Sequence, residues 1–154
     1  MIKTYEGNCH CGNIKYTVTL PEALAPEGSG EICRCNCSIC TKNGYYLVYP
    51  KRADVHFLDD SESKLKAYFF GKKNKPHRFC PECSSSILID FANSDLEGQR
   101  EHLAMNVSSI LHRGKSVRAA DIRSQASLFK GIDLENAKLD KFNGMAELDP
   151  QYEV

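Results

Sequence analysis

The sequence lacks a net charge: its 20 Lys and Arg side chains balance 20 Asp and Glu across 154 residues. The two signs are interspersed, so no long-range basic field draws the chain toward phosphate backbones or anionic lipid. A nucleic-acid partner is therefore not expected. Also missing is any apolar run close to the roughly 20 residues that span a bilayer. The opening Met-Ile-Lys-Thr-Tyr-Glu holds no apolar stretch of the kind found in secretory signals. These absences predict a soluble protein with no membrane role, cytoplasmic and with the nucleus as a second compartment. Internal repeats, low-complexity tracts and dividing linkers are absent as well. The chain therefore reads as one domain over residues 1–154, long enough to bury a core without staples.

What the sequence has is sulfur. Eight cysteines fall in three places: Cys9 and Cys11, a run Cys33-Arg-Cys35-Asn-Cys37-Ser-Ile-Cys40, and Cys80 with Cys83. In a reducing compartment such spacings point to metal ligands rather than disulfides.

The surrounding pattern is mainly β. Lys3 to Glu6 reads as a short strand, and Gly7 and Gly12 flank a tight Cys-x-Cys knuckle where positive φ is expected. Ile14, Tyr16, Val18 and Leu20 alternate with polar residues as in a half-buried strand. Residues 21–30 form a loop, Glu31 to Cys37 is extended, and Thr41 to Gly44 turns the chain. Tyr45 to Tyr49 and Val55 with Phe57 read as strands, and Asp59 to Ser63 as a polar turn. Leu65 to Phe70 and His77 to Phe79 form a hairpin, followed by strands at Ser86 to Phe91 and Leu103 to Val107. Ser108 to Leu111 reads as a helical turn. The motif-bearing core covers about 3–111, and residues 112–154 are an extension whose last part, from Asp121, wraps the body with short helices.

Zinc binds tetrahedral sulfur at about 2.3 Å, which sets ligand sulfurs roughly 3.8 Å apart. A Cys-x-Cys and a Cys-x-x-Cys on separate turns can close one four-thiolate site, although spacing alone allows any two of the three turns to combine. In the central run an extended backbone would set Cys33 about 13 Å from Cys37. Cys35, Cys37 and Cys40 can instead form a loop, leaving Cys33 as a small apolar side chain. If three thiols bind, a fourth metal position is open; if Cys33 joins, the site is closed. An open three-thiolate zinc is a weak Lewis acid toward water and favours a fourth thiol, so it suits carbon–sulfur chemistry.

Three ordered motifs carry a resemblance: Gly7-Asn8-Cys9-His10-Cys11-Gly12, then Cys35-Asn36-Cys37-Ser38-Ile39-Cys40-Thr41-Lys42 with Gly44, then Phe79-Cys80-Pro81-Glu82-Cys83. They resemble the glutathione-dependent formaldehyde-activating enzyme family, which includes centromere protein V. The late Gly131-Ile132-Asp133-Leu134 and Phe142-Asn143-Gly144 are similar to the tail of fungal members. The resemblance implies a single-domain β-tent with two zincs. A structural zinc would use Cys9, Cys11, Cys80 and Cys83, and a catalytic zinc Cys35, Cys37 and Cys40. It further implies a carbon–sulfur lyase that joins a small thiol such as glutathione to formaldehyde or another small electrophile. Two departures stand out: Ser84 occupies the place where the family has glycine, and Cys33 is an extra thiol beside the central motif.

Other residues are read more plainly. His10 is exposed or hydrogen-bonded behind the ligands, with replacement of one of them as the alternative, and His56, His102 and His112 are ordinary side chains, with His77 the one nearest a ligand motif. Tyr45, Tyr46 and Tyr49 belong to the core, with a pocket wall as the alternative. Lys72, Lys73 and Lys75 form a solvated hairpin tip, with contact to a glutathione carboxylate or a nucleic acid as the alternative. The competing functional reading is a non-catalytic binding module with two structural zincs, and a lesser one is zinc buffering.

Overall fold

Alternation in the first strands sets the architecture. β1 (Lys3–Asn8) and β2 (Lys15–Leu20) form an antiparallel hairpin in which Tyr5 lies opposite Val18 and Gly7 opposite Tyr16. Tyr16, Val18 and Leu20 point inward with Ile14, and each such burial contributes about 1.5–3 kcal/mol. The computed structural model describes residues 2–22, 24, 29–111 and 138–147. After β2 come β3 (Ile32–Cys35), α1 (Ser38–Asn43), β4 (Leu47–Val48) and β5 (Val55–Leu58). Then follow α2 (Ser61–Lys64), β6 (Lys66–Tyr68), β7 (His77–Phe79), β8 (Ser86–Asp90) and β9 (Leu103–Asn106). The last described elements are β10 (Ile110–Leu111), β11 (Leu139–Phe142) and α3 (Gly144–Glu147). The protein is mainly β and forms one small domain.

Two sheets result among the described residues, a four-stranded one ordered β10-β1-β2-β5 and a seven-stranded one ordered β11-β3-β4-β9-β8-β7-β6. The pairings are antiparallel except β11 on β3, which is parallel. Strand pleating gives the large sheet two different faces. On one, Ile32, Val48, Met105 and Leu88 join Ile14, Tyr16 and Val18 of the small sheet in the main core. On the other, Cys33, Leu47, Ala104 and Ile89 form a second apolar cluster with Cys35, Cys37, Cys40, Tyr45 and Phe91. β9 is buried along its whole length because it is covered on both faces.

Several local expectations are corrected. Ser38 to Asn43 is a short helix rather than a lead-in to a turn, closed by left-handed Gly44 at φ 60°. The strand after it shrinks to Leu47–Val48, because Tyr45 donates its backbone N–H to Cys40 O at 3.0 Å as the chain leaves the helix. Asp59 to Ser63 does not stay a turn: two left-handed residues, Asp59 and Asp60, lead into α2. Residues 107–109 make a 3-10 turn and 110–111 a strand paired with β1, so only the first half of that stretch is helical. Of the tail, 112–137 and 148–154 lie outside the described residues; the described part forms a strand that covers the β3 edge as well as a short helix. Gly12 does adopt positive φ, 77°. Gly7 does not; its requirement is space, since a Cβ there would lie 2.2 Å from the Tyr16 ring.

Candidate metal centres and the cavity beside them

The β1–β2 turn is shaped by its own backbone. Cys9 N–H donates to Ile14 O at 3.0 Å and Gly12 N–H to Cys9 O at 3.0 Å, while Ile14 N–H donates to Cys9 Sγ at 3.2 Å. The β7–β8 turn repeats the pattern, with Cys80 N–H on Ser85 O at 3.0 Å and Ser84 N–H on Cys80 O at 2.9 Å. The turns face each other, and the sulfurs of Cys9, Cys11, Cys80 and Cys83 all lie within 4.8 Å of one another. Cys9 and Cys11 are separated by 3.5 Å and Cys11 and Cys80 by 3.7 Å. Disulfide sulfurs sit near 2.05 Å, whereas sulfurs around one tetrahedral zinc sit near 3.8 Å, so the donor set fits zinc. Cys9 and Cys80 are fully buried, while Cys11 is exposed. His10 is not part of the cluster; its backbone N–H donates to Ser85 Oγ at 3.1 Å.

The central motif builds a second cluster. Cys35 ends β3, Cys37 is the residue before α1, and Cys40 lies one turn further on, so the helix returns its sulfur to the same side. The sulfurs of Cys35, Cys37 and Cys40 lie within 4.8 Å of one another, all three side chains buried. Cys33 stands on the same pleat face as Cys35 but is not among the converging sulfurs. Burial, the largest influence, raises its pKa. The three clustered thiols affect one another strongly. Contact with Cys40, reinforced by backbone amides of α1, pulls the Cys37 thiol down to about 5. Cys40 is driven up, first by that same contact and then by burial, and Cys35 is raised by burial. Three adjacent thiolates need a cation to coexist, and a divalent metal would supply it.

A cavity of about 610 Å³ opens on this second cluster. Cys33, Cys35, Cys37 and Cys40 line it together with Leu47, Ile89, Phe91 and His77. None of Cys9, Cys11, Cys80 and Cys83 does. His77 is buried, stacks on Tyr45 with centroids 5.7 Å apart, and its Nδ1 pairs with the Tyr45 hydroxyl at 3.2 Å. Burial pushes its pKa down to about 4, so it is neutral near pH 7. Tyr45 belongs to the second apolar cluster, Tyr46 packs on the main core, and Tyr49 lines the cavity and stacks on Phe91. The hairpin tip is not merely solvated, because Lys72 and Lys75 also line the cavity. Asp140, Phe142 and Glu147 supply another part of the wall. Phe142 falls in the late Phe142-Asn143-Gly144 stretch, but nothing local places any of the three at the cavity, since their position depends on β11 pairing with a strand about a hundred residues earlier. His56 and His102 lie outside both clusters, and His112 falls outside the described residues.

Residues 4–122 match the family described as glutathione-dependent formaldehyde-activating enzyme. The chain belongs to this family. The matched range includes all three cysteine-bearing stretches, seven of whose thiols converge here into two clusters. The crystal structure of a Rhodobacter sphaeroides protein has a similar fold, with a TM-score of 0.51 at 24% identity. The alignment covers 76% of this chain and 94% of that one. No curated protein matches the sequence.

Proposed function

We propose that the protein is a zinc-dependent carbon–sulfur lyase or thiol-adduct synthase of the β-tent type, carrying two zincs in one domain over residues 1–154. Cys9, Cys11, Cys80 and Cys83 would hold a structural zinc that ties the β1–β2 turn to the β7–β8 turn. Cys35, Cys37 and Cys40 would hold the second. The observation that carries this reading is the difference in access: the three-thiol cluster lies on a cavity and the four-thiol cluster does not line it. Family membership supplies glutathione and formaldehyde as the ligand chemistry.

Zinc bound by three thiolates would accept a substrate thiol as fourth ligand and hold it deprotonated near neutral pH. The chain's own groups shape what happens around that sulfur. Leu47, Ile89, Phe91 and Phe142 give the cavity apolar walls that thin out competing water. His77, fixed by Tyr45 and neutral near pH 7, adds a polar but uncharged ring to the cavity wall. With formaldehyde, the substrate sulfur bonds to the carbonyl carbon and the thiol proton ends on the carbonyl oxygen, giving the hydroxymethyl thioether. Cys33, outside the converging sulfurs, leaves the fourth position to the substrate. Free cysteines in this number fit a reducing compartment, the cytoplasm or nucleus.

The test is Cys37→Ser. Formation of the glutathione–formaldehyde adduct should fall to background while one zinc per chain and the fold persist. Full turnover in that variant would refute the assignment.

A further inference from the structure

The cavity wall made by residues 138–147 lies outside residues 4–122, which match the family. Its placement is set by strand register. Asp140 pairs with Cys33 and Phe142 with Cys35 in the parallel β11–β3 ladder, so both side chains face the cavity while Leu139 packs on the main core. The segment is tied directly to the thiol loop. Asn36 N–H donates to Phe142 O at 3.2 Å, and Asn36 Nδ2 donates to Asn143 Oδ1 at 2.9 Å. Lys138 pairs with Glu31 at the other end of the strand. α3 then brings Glu147 to the same rim.

Across the sheet, the order β11-β3-β4-β9-β8-β7-β6 puts the β6–β7 hairpin at the far edge. Its tip contributes Lys72 and Lys75 to the same cavity. Lys72 is already paired with Asp95 at 3.0 Å. Lys75 has no hydrogen bond or ion pair among the described residues and lies over the Phe91 ring at 5.6 Å. Burial lowers its pKa, the mark of a cation that has lost part of its water. Asp140 and Glu147 likewise have no ion-pair partner among the described residues. The cavity thus carries the carboxylates Asp140 and Glu147 at one edge and Lys75 at the other, where Asp95 also lines it and is engaged by Lys72, with the three clustered thiols in the same lining. At about 610 Å³ it falls within the range of small-ligand sites and has room for a short peptide.

We propose that the β11–α3 segment is a specificity wall. Asp140 and Glu147 receive an ammonium group and Lys75 a carboxylate, which selects a zwitterionic, peptide-sized thiol whose sulfur points to Cys35, Cys37 and Cys40. The selection of a thiol rests on the function proposed above; the bipolar recognition does not. Exposed charges at a rim chiefly set preference and encounter, whereas the partly desolvated Lys75 contributes more to affinity.

The experiment uses the full chain with cobalt in place of zinc. Binding of S-methylglutathione, which has no free thiol, is measured by calorimetry. Glutathione and neutral 2-mercaptoethanol are followed by the cobalt spectrum. Lys75→Met should weaken S-methylglutathione and glutathione about tenfold, and Asp140→Asn combined with Glu147→Gln about threefold. Binding of 2-mercaptoethanol should be unchanged in both variants. Equal losses for charged and neutral probes, no loss at all, or no binding of S-methylglutathione to the unmodified chain would overturn the wall. If S-methylglutathione shows the charge dependence but no thiol alters the cobalt spectrum, the wall stands and the thiol-at-metal reading falls. If thiols alter the spectrum but the variants do not separate glutathione from 2-mercaptoethanol, the wall falls and that reading stands.

Discussion

The two thiol clusters use the same ligand chemistry and differ in what surrounds them. In the four-thiol cluster the ligands come from two hairpin turns in different sheets, β1–β2 and β7–β8, and bring together positions about 70 residues apart. In the three-thiol cluster all ligands come from six consecutive residues, 35–40, and what arrives from elsewhere in the chain is the cavity. A metal in the first would close a long loop and act on stability; a metal in the second closes almost nothing and is free to act on a ligand. On the proposed function, the sequence span of the cysteines and their neighbours would tell a structure-bearing from a chemistry-bearing site even when every ligand is cysteine.

The strongest break in this comparison is Cys80→Ala. It removes a fully buried sulfur of the cross-link and should cost more than about 4 kcal/mol, lowering Tm by roughly 10 °C or more in thermal denaturation. The matching loss in the three-thiol cluster, Cys37→Ser, should shift Tm far less. Next in size is metal removal. A chelator should withdraw the cavity-side zinc first and take thiol binding with it, while circular dichroism remains native. The second zinc should leave only as the fold is lost. Simultaneous release of both metals would erase the distinction.

Two substitutions separate packing from metal at the four-thiol cluster. Gly7→Ala forces a methyl group against the buried Tyr16 ring, whose hydroxyl is held by Ser109 Oγ at 2.7 Å. It should cost about 1–3 kcal/mol in chemical denaturation with zinc content unchanged. The smallest effect concerns Ser84, a non-glycine residue in the left-handed region at φ 59°. Ser84→Gly relieves that conformation and should stabilise by up to about 1 kcal/mol, partly offset by the added freedom of the unfolded chain.

Much of this was legible in the sequence because the signals are local. The alternation from Ile14 to Leu20 marks β2, and the His77–Phe79 arm of the hairpin follows from its flanking turn. The cysteine motifs mark the turns, and the glycine expected after Cys83 corresponds to a left-handed position that Ser84 occupies instead. What escaped is what depends on distant pairing. The two lysines of the hairpin tip look like any solvated turn until β6 and β7 are seen at the sheet edge beside the cavity. Asp140 carries no pattern of its own, Phe142 only a resemblance to a family tail, and both take their place at the cavity from their register against Cys33 and Cys35. α1 was hidden because six residues give too little periodicity to distinguish a helix from a turn.

The central claim, one closed site and one open site, is tested most directly by X-ray absorption at the zinc edge, with and without glutathione. The account predicts an average of roughly 3.5 sulfurs per zinc with a light-atom ligand making up the remainder, rising to about 4 sulfurs when glutathione is added. Four sulfurs per zinc before any thiol is present, unchanged by its addition, would mean that both sites are closed and would contradict it.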